Sequence, residues 1–372
     1  MSSVRFTCKE GHLTATPFRR SPVCLLLALI GLSMVSGSVY AASLGLFTDN
    51  ASDEMRLFDA DTGVVIASMK GTPGRISGDC SLSEDESTGF SSNADRKISV
   101  FQISDTTSGK SLQLSSIAIS NAGVDMSLSP DGHFLVSTGA GNIDEPLSII
   151  DTVKQVEVAT SAPFLDHSSA EFCDNGTLLI TTTFGKSFAS PFDHAMYDAR
   201  ITPDGQVELN GNRLSNGAQP NNGSCAPGSR SGVLLDRQAG LTSFTLPGLE
   251  EADYASLHGG TAVAAVFNRS GSRLFVRTTL TVEAFDFNPI DGTMKLDWVQ
   301  PVSNAAEFLG IDQIAVDPES GKLFVDGGQN LLILDPVNGQ QTGLVLAGDA
   351  TGVCFAQRQP FRPVDRLVYS AP

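Results

Sequence analysis

His167 and Glu171, four residues apart, and the pair Asp193-His194 that ends the long loop Gly185–His194, are the residues best suited to proton transfer. A histidine and carboxylates brought to one point can act as general acid and base. The same set can bind a divalent cation through nitrogen and oxygen. The competing reading is local: histidine as a loop cap, and carboxylates that accept turn amides. Asp79, Asp125 and Asp312 align at one position of a repeated pattern. Carboxylates repeated around a rim could hold Ca²⁺, which prefers several oxygen ligands. A repeated unit also repeats its structural bonds, so each Asp could instead tie down neighbouring backbone. Arg75 and His258 complete the candidates for ligand binding, both in loops that lead into strands.

Local motifs of other chemistries are missing. Asp49–Glu54 lacks the glycine and the final glutamate of a calcium loop. Gly228-Ser229-Arg230-Ser231-Gly232 has Arg where a nucleophile elbow needs Ser. The sequence has no C-x-x-C-H for haem attachment, no C-x-x-C for a zinc knuckle and no glycine-rich phosphate loop. No cofactor is evident, although a divalent cation fits the candidate side chains.

The elements that must position these residues are strands. Leu128-Ser129-Pro130-Asp131-Gly132-His133-Phe134-Leu135-Val136-Ser137, followed by Leu147-Ser148-Ile149-Ile150-Asp151-Thr152, reads as strand, tight turn, strand, loop, strand. Weaker copies recur at intervals of roughly 40–50 residues, the spacing of four-stranded propeller blades. Short segments rich in Val, Ile, Phe and Thr between turn signals predict an all-β fold. Ser43–Met69 supplies three strands of a blade, and Thr351–Ala356 supplies the missing inner strand. Joining them predicts a seven-bladed β-propeller, closed by pairing of the C-terminal strand with the N-terminal blade. An open ring would expose a strand edge. In such a ring the loops into the inner strands and those between second and third strands cluster at one end. That end would carry Arg75, Asp79, Asp125, His167, Glu171, His194, His258 and Asp312.

The Ser129–Gly132 turn, the apolar strand after it and the Ile150-Asp151-Thr152 ending resemble the YVTN-type bacterial propeller repeat. The resemblance is best in 121–163, fair in 306–348 and 43–71, and weak elsewhere. It implies an exported seven-bladed ring similar to lactonase-like and amine-dehydrogenase heavy-chain propellers. It carries over no catalytic residue, because its motifs describe turns and strands.

Cys80, Cys173, Cys225 and Cys354 all fall on inner strands. Aligned to the best blade, Cys80 and Cys225 match Met126, Cys354 matches Ser127 and Cys173 matches Ser129. Strand side chains alternate faces, and neighbouring blades meet through opposite faces. Cys354 can therefore meet Cys80, and Cys173 can meet Cys225, with an offset along the strand in the second pair. Four buried free thiols are the alternative.

Arg19 and Arg20 before the apolar run Val23–Val35, then Val39-Tyr40-Ala41, read as a secretory signal peptide over 1–41. The run is shorter than the ~20 residues a membrane span needs. The propeller is expected over 42–357 and an extended tail over 358–372. Residues 1–41 carry a net +3 (Arg5, Lys9, Arg19 and Arg20 against Glu10), so their removal takes the formal charge from −17 to −20. That acidity argues against nucleic acid and anionic membranes. The expectation is a periplasmic or secreted module. It has no membrane span after signal removal, binds a protein partner or small-molecule ligand on one propeller face, and is not catalytic. The alternative is a lactonase- or lyase-type enzyme with a His/carboxylate site at the channel mouth, assisted or not by metal.

Overall fold

In the computed structural model the described residues are 43–49, 51–70, 76–93, 95–107, 109–139, 146–161, 167–182, 195–215, 220–228, 230–236, 240–302, 313–345 and 350–356. The expected signal peptide and tail lie outside them. The described residues form seven four-stranded antiparallel sheets and no helix. The protein is a seven-bladed β-propeller. Six blades run inner to outer in chain order. Blade 1 is composite: Ala350–Phe355 is its inner strand, followed by Leu44–Asp49, Glu54–Asp59 and Val65–Lys70. Leu46 opposes Cys354 and Phe47 opposes Val353 in the closing pair, as the orphan strands predict.

The inner strands of blades 2 to 7 are Ile76–Leu82, Gly123–Leu128, His167–Phe172, Pro220–Cys225, Ala262–Phe267 and Ile314–Val316. Second strands such as Phe134–Gly139 and Leu178–Thr182 are buried throughout. Outer strands such as Met294–Pro301 alternate between half-buried and exposed positions, because only one face meets a neighbour. Apolar residues collect between blades, giving seven interblade clusters. Close approach needs glycine beside the aromatic cluster of blades 1 and 7. A Cβ on Gly45 would lie 2.1 Å from the Phe58 ring, which packs 5.2 Å from Phe324 and 5.7 Å from Phe355.

The turn chemistry read from Ser129–Gly132 is visible atom by atom. Ser129 N donates to Phe134 O at 2.7 Å, and Gly132 N donates to Ser129 O at 2.8 Å. Ser129 Oγ donates to Asp131 Oδ1 at 2.6 Å and accepts from Phe134 N at 2.9 Å. Gly132 has φ 70°, the left-handed region where glycine has no Cβ penalty. The same first-residue bond recurs from Ser83, Cys173, Ala226, Asn268 and Asp317. It gives an internal ruler that sets the blades level with one another.

Candidate functional site

A central channel of about 670 Å³ is walled by the inner strands of all seven blades. Its described mouth is formed by the inner-to-second-strand turns, with Asp85, Asp131, Asp174 and Arg269 on the rim. That is the end opposite to the one expected to carry the ligand site. The expected end is built from loops that fall largely outside the described residues, including Arg75, His194 and Asp312.

Asp79 and Asp125 are buried, and both reach the next blade. Asp79 Oδ1 accepts from Cys80 N at 2.8 Å and Oδ2 accepts from Met126 N at 3.2 Å. Asp125 Oδ2 accepts from Ala170 N at 3.0 Å. Each carboxylate thus clamps its inner strand to the neighbouring one. The turn ruler also corrects the third member of the set. Counting back four residues from Ser129 gives Asp125, and four from Asp317 gives Gln313, so Gln313 and not Asp312 holds that position in blade 7.

His167 opens the inner strand of blade 4 opposite Thr182, with a bulge before Ser169. Glu171 lies four residues on, about 13 Å away in extended chain at ~3.3 Å per residue. The two therefore stand at opposite ends of the inner strand. His258 sits over blade 6, outside the channel wall. Its Nδ1 lies 3.1 Å from Glu283 Oε2, and Glu283 is fully buried. Glu283 Oε1 also accepts from His258 N at 2.6 Å, Gly259 N at 3.1 Å and Thr281 Oγ1 at 3.0 Å. Sequence reading missed Glu283, because a strand carboxylate 25 residues from its histidine has no local signature. Its bonds hold the loop into blade 6, as Glu157 holds Ser120 in blade 3. Among the described residues no three His, Cys, Asp or Glu side chains are grouped for metal binding.

Glu171 stands apart from the other carboxylates. It is half-buried and lines the channel. Two residues before the ruler position, blades 2, 3 and 5 place Ser81, Ser127 and Ser224. Blades 6 and 7 place Val266 and Ala315 there. In blade 1 the Leu82–Ala356 bridge sets Phe355 beside Ser81. Blade 4 alone puts a charge at this level.

Both expected disulfides are present. Cys80–Cys354 joins blades 2 and 1 with Cα atoms 5.8 Å apart, and Cys173–Cys225 joins blades 4 and 5 at 5.4 Å. The ruler corrects the alignment. Cys225 is level with Leu128, one step from Cys173, and Cys354 is level with Cys80. The offset is small enough for bridging, which needs Cα atoms closer than about 7 Å. Such pairs persist in oxidising compartments.

No protein-family model matches the sequence, and no curated protein sequence does either. Solved structures do share the ring. A protein of unknown function from Desulfotomaculum acetoxidans superimposes with TM-score 0.74 at 16% identity, over 85% of this chain and 99% of its own. A candidate 6-phosphogluconolactonase from Bacteroides uniformis gives 0.68 at 13%, over 85% and 100%. The periplasmic gluconolactonase of Pseudomonas aeruginosa gives 0.64 at 14%, over 86% and 99%. At these identities the likeness is one of fold, the seven-bladed propeller ring.

Proposed function

We propose that this chain is an exported hydrolase of the lactonase type, with Glu171 as general base in the central channel. The observation that carries the reading is the place of Glu171 in the ring. A structural bond recurs with its unit, as the clamps of Asp79 and Asp125 do. Glu171 does not recur: its counterparts are serine or apolar. A half-buried carboxylate beside hydroxyls can take a proton from water. The water oxygen then adds to the lactone carbonyl carbon, the ring C–O bond breaks, and the proton passes to the leaving oxygen. The product is a hydroxy acid, and no oxidant or reductant is needed. The gluconolactonase named for Pseudomonas supports this reading over a purely binding role. The two disulfides and the signal-like N-terminus support export.

The test is lactone hydrolysis followed by pH-stat, with glucono-δ-lactone as the first substrate. Glu171→Gln is expected to lower kcat by roughly 10²–10⁴-fold while its melting temperature stays with the native protein. His258→Ala, off the channel, is expected to change kcat less than about threefold; as a surface change away from the wall it touches no reacting atom. An unchanged rate in Glu171→Gln, or no turnover of any lactone, overturns the proposal and leaves a binding module. Repeating the native assay after EDTA treatment reads any metal requirement.

A further inference from the structure

At one level the channel wall is divided into two chemically different halves. At the level of Glu171, blades 2, 3 and 5 contribute hydroxyls from Ser81, Ser127 and Ser224, so blades 2 to 5 form one polar arc. Blades 6, 7 and 1 contribute Val266, Ala315 and Phe355 at the same level. The next level toward the mouth is apolar on both arcs, through Leu82, Leu128, Phe172, Phe267 and Val316. The mouth is divided in the same sense. Glu84, Asp85, Asp131 and Asp174 lie on blades 2 to 4, and Arg269 on blade 6 is the one cation among the described lining residues.

We propose that the channel takes an uncharged, amphipathic lactone: a ring ester carrying an alkyl or aryl substituent, rather than a polyhydroxylated or phosphorylated sugar lactone. The inference rests on reading the channel as the hydrolytic site. A ring ester placed against Glu171 has its oxygens toward the serine arc and its far edge against Val266, Ala315 and Phe355. Hydroxyls on that far edge would lose water and find no donor or acceptor there, which costs binding. An alkyl group on the same edge replaces water at an apolar wall, which favours binding. A phosphate dianion entering the mouth meets four acidic side chains and a single arginine. Its penalty is Coulombic and is screened by salt.

The experiment compares kcat/KM for δ-decalactone, glucono-δ-lactone and 6-phosphoglucono-δ-lactone on the native full chain. The expected order is decalactone first, glucono-δ-lactone at least tenfold lower, and the phosphorylated lactone lowest. The last gap is expected to narrow in 1 M NaCl. Val266→Thr keeps the shape and adds a hydroxyl to the apolar half. It is expected to lower the decalactone value about tenfold and to leave glucono-δ-lactone within about threefold, the size expected of one pocket group. Calorimetric binding of decalactone and glucono-δ-lactone to Glu171→Gln protein gives the same comparison without turnover. Equal or better use of either sugar lactone overturns the inference while leaving the proposed hydrolase standing. Preferential binding of decalactone without turnover by the native protein does the reverse. Failure of all three lactones to bind overturns both.

Discussion

The two disulfide-bonded seams of the ring are alike in chemistry and different in what they hold. The seam between blades 1 and 2 joins the two ends of the chain, since Cys354 lies on the C-terminal strand and the bond spans 274 residues. The seam between blades 4 and 5 joins neighbours in sequence, 52 residues apart. The first also carries two backbone-directed bonds from one side chain: Thr48 Oγ1 donates to Gly78 O at 2.8 Å and accepts from Gly352 N at 2.9 Å. The second relies on Asp174, whose Oδ2 accepts from Gly228 N at 2.8 Å. Cross-linking removes loop entropy from the unfolded chain as the logarithm of loop length. It is worth about 5.5 kcal/mol for the long span and about 4 for the short one in that model. A closed ring therefore has one seam where failure opens the whole structure, and others where failure loosens a local contact.

Removing the closing strand breaks the comparison most directly. Deletion of residues 349–372 takes away the inner strand of blade 1, one half of the first disulfide and Phe355 from the aromatic cluster. The truncated protein is expected to lose its cooperative thermal transition or its solubility. A truncated chain that melts like the intact one would show that closure contributes nothing. Next in size is the pair of double variants. Cys80→Ala with Cys354→Ala should lower stability more than Cys173→Ala with Cys225→Ala, by about 1–1.5 kcal/mol in the loop-entropy model. Urea unfolding of both under identical conditions measures the difference. An equal loss would mean that local packing, rather than loop length, sets what each bond contributes.

The smallest effect sharpens the comparison from outside the seams. Hydrogen bonds in the turns hold several carboxyls below their ordinary range. Asp151 is at about 2, chiefly through the Lys154 side chain and then the Lys154 amide. Asp85 is lowered by Ser83 and Ser87, and Asp291 by Thr293. At Asp131 burial pushes upward but is outweighed by bonds from Ser129 and His133. A depressed carboxyl contributes stability above its unfolded value near 4 and loses it as pH falls through the folded value. Stability is thus expected to decline from about pH 4 toward pH 2, with the same window in the native protein and both disulfide variants. A window that shifts when one disulfide is removed would place the sensitive carboxylates in that seam, and circular dichroism against pH reads it.

Much of the scaffold was legible because its signals are local. A Ser-Pro-Asp-Gly turn satisfies its own amides, and strands alternate with period two, so blade spacing and the orphan strand at each end could be counted from residues alone. The candidate site was legible only in part. Glu171 could be named as a carboxylate on an inner strand, but its singularity needed the blades to be set level. His258 was visible, whereas its partner Glu283 was not. The Asp79–Asp125–Asp312 set failed at its third member because a one-residue slip leaves the sequence pattern plausible, while backbone hydrogen bonds put Gln313 at that position.

The residue order by itself determined that this protein is an all-β ring of seven blades, closed by its own C-terminal strand, with four cysteines on the inner strands. Those properties follow from interactions between residues a few positions apart and from the cost of an unpaired edge. Only the tertiary structure decided which atoms the buried carboxylates serve, that both cysteine pairs come within bridging distance, and that at the level of Glu171 one arc of the channel wall is polar and the other apolar. These depend on contacts between blades about 45 residues apart, where register along the strand, invisible to periodicity, sets which side chains share a level.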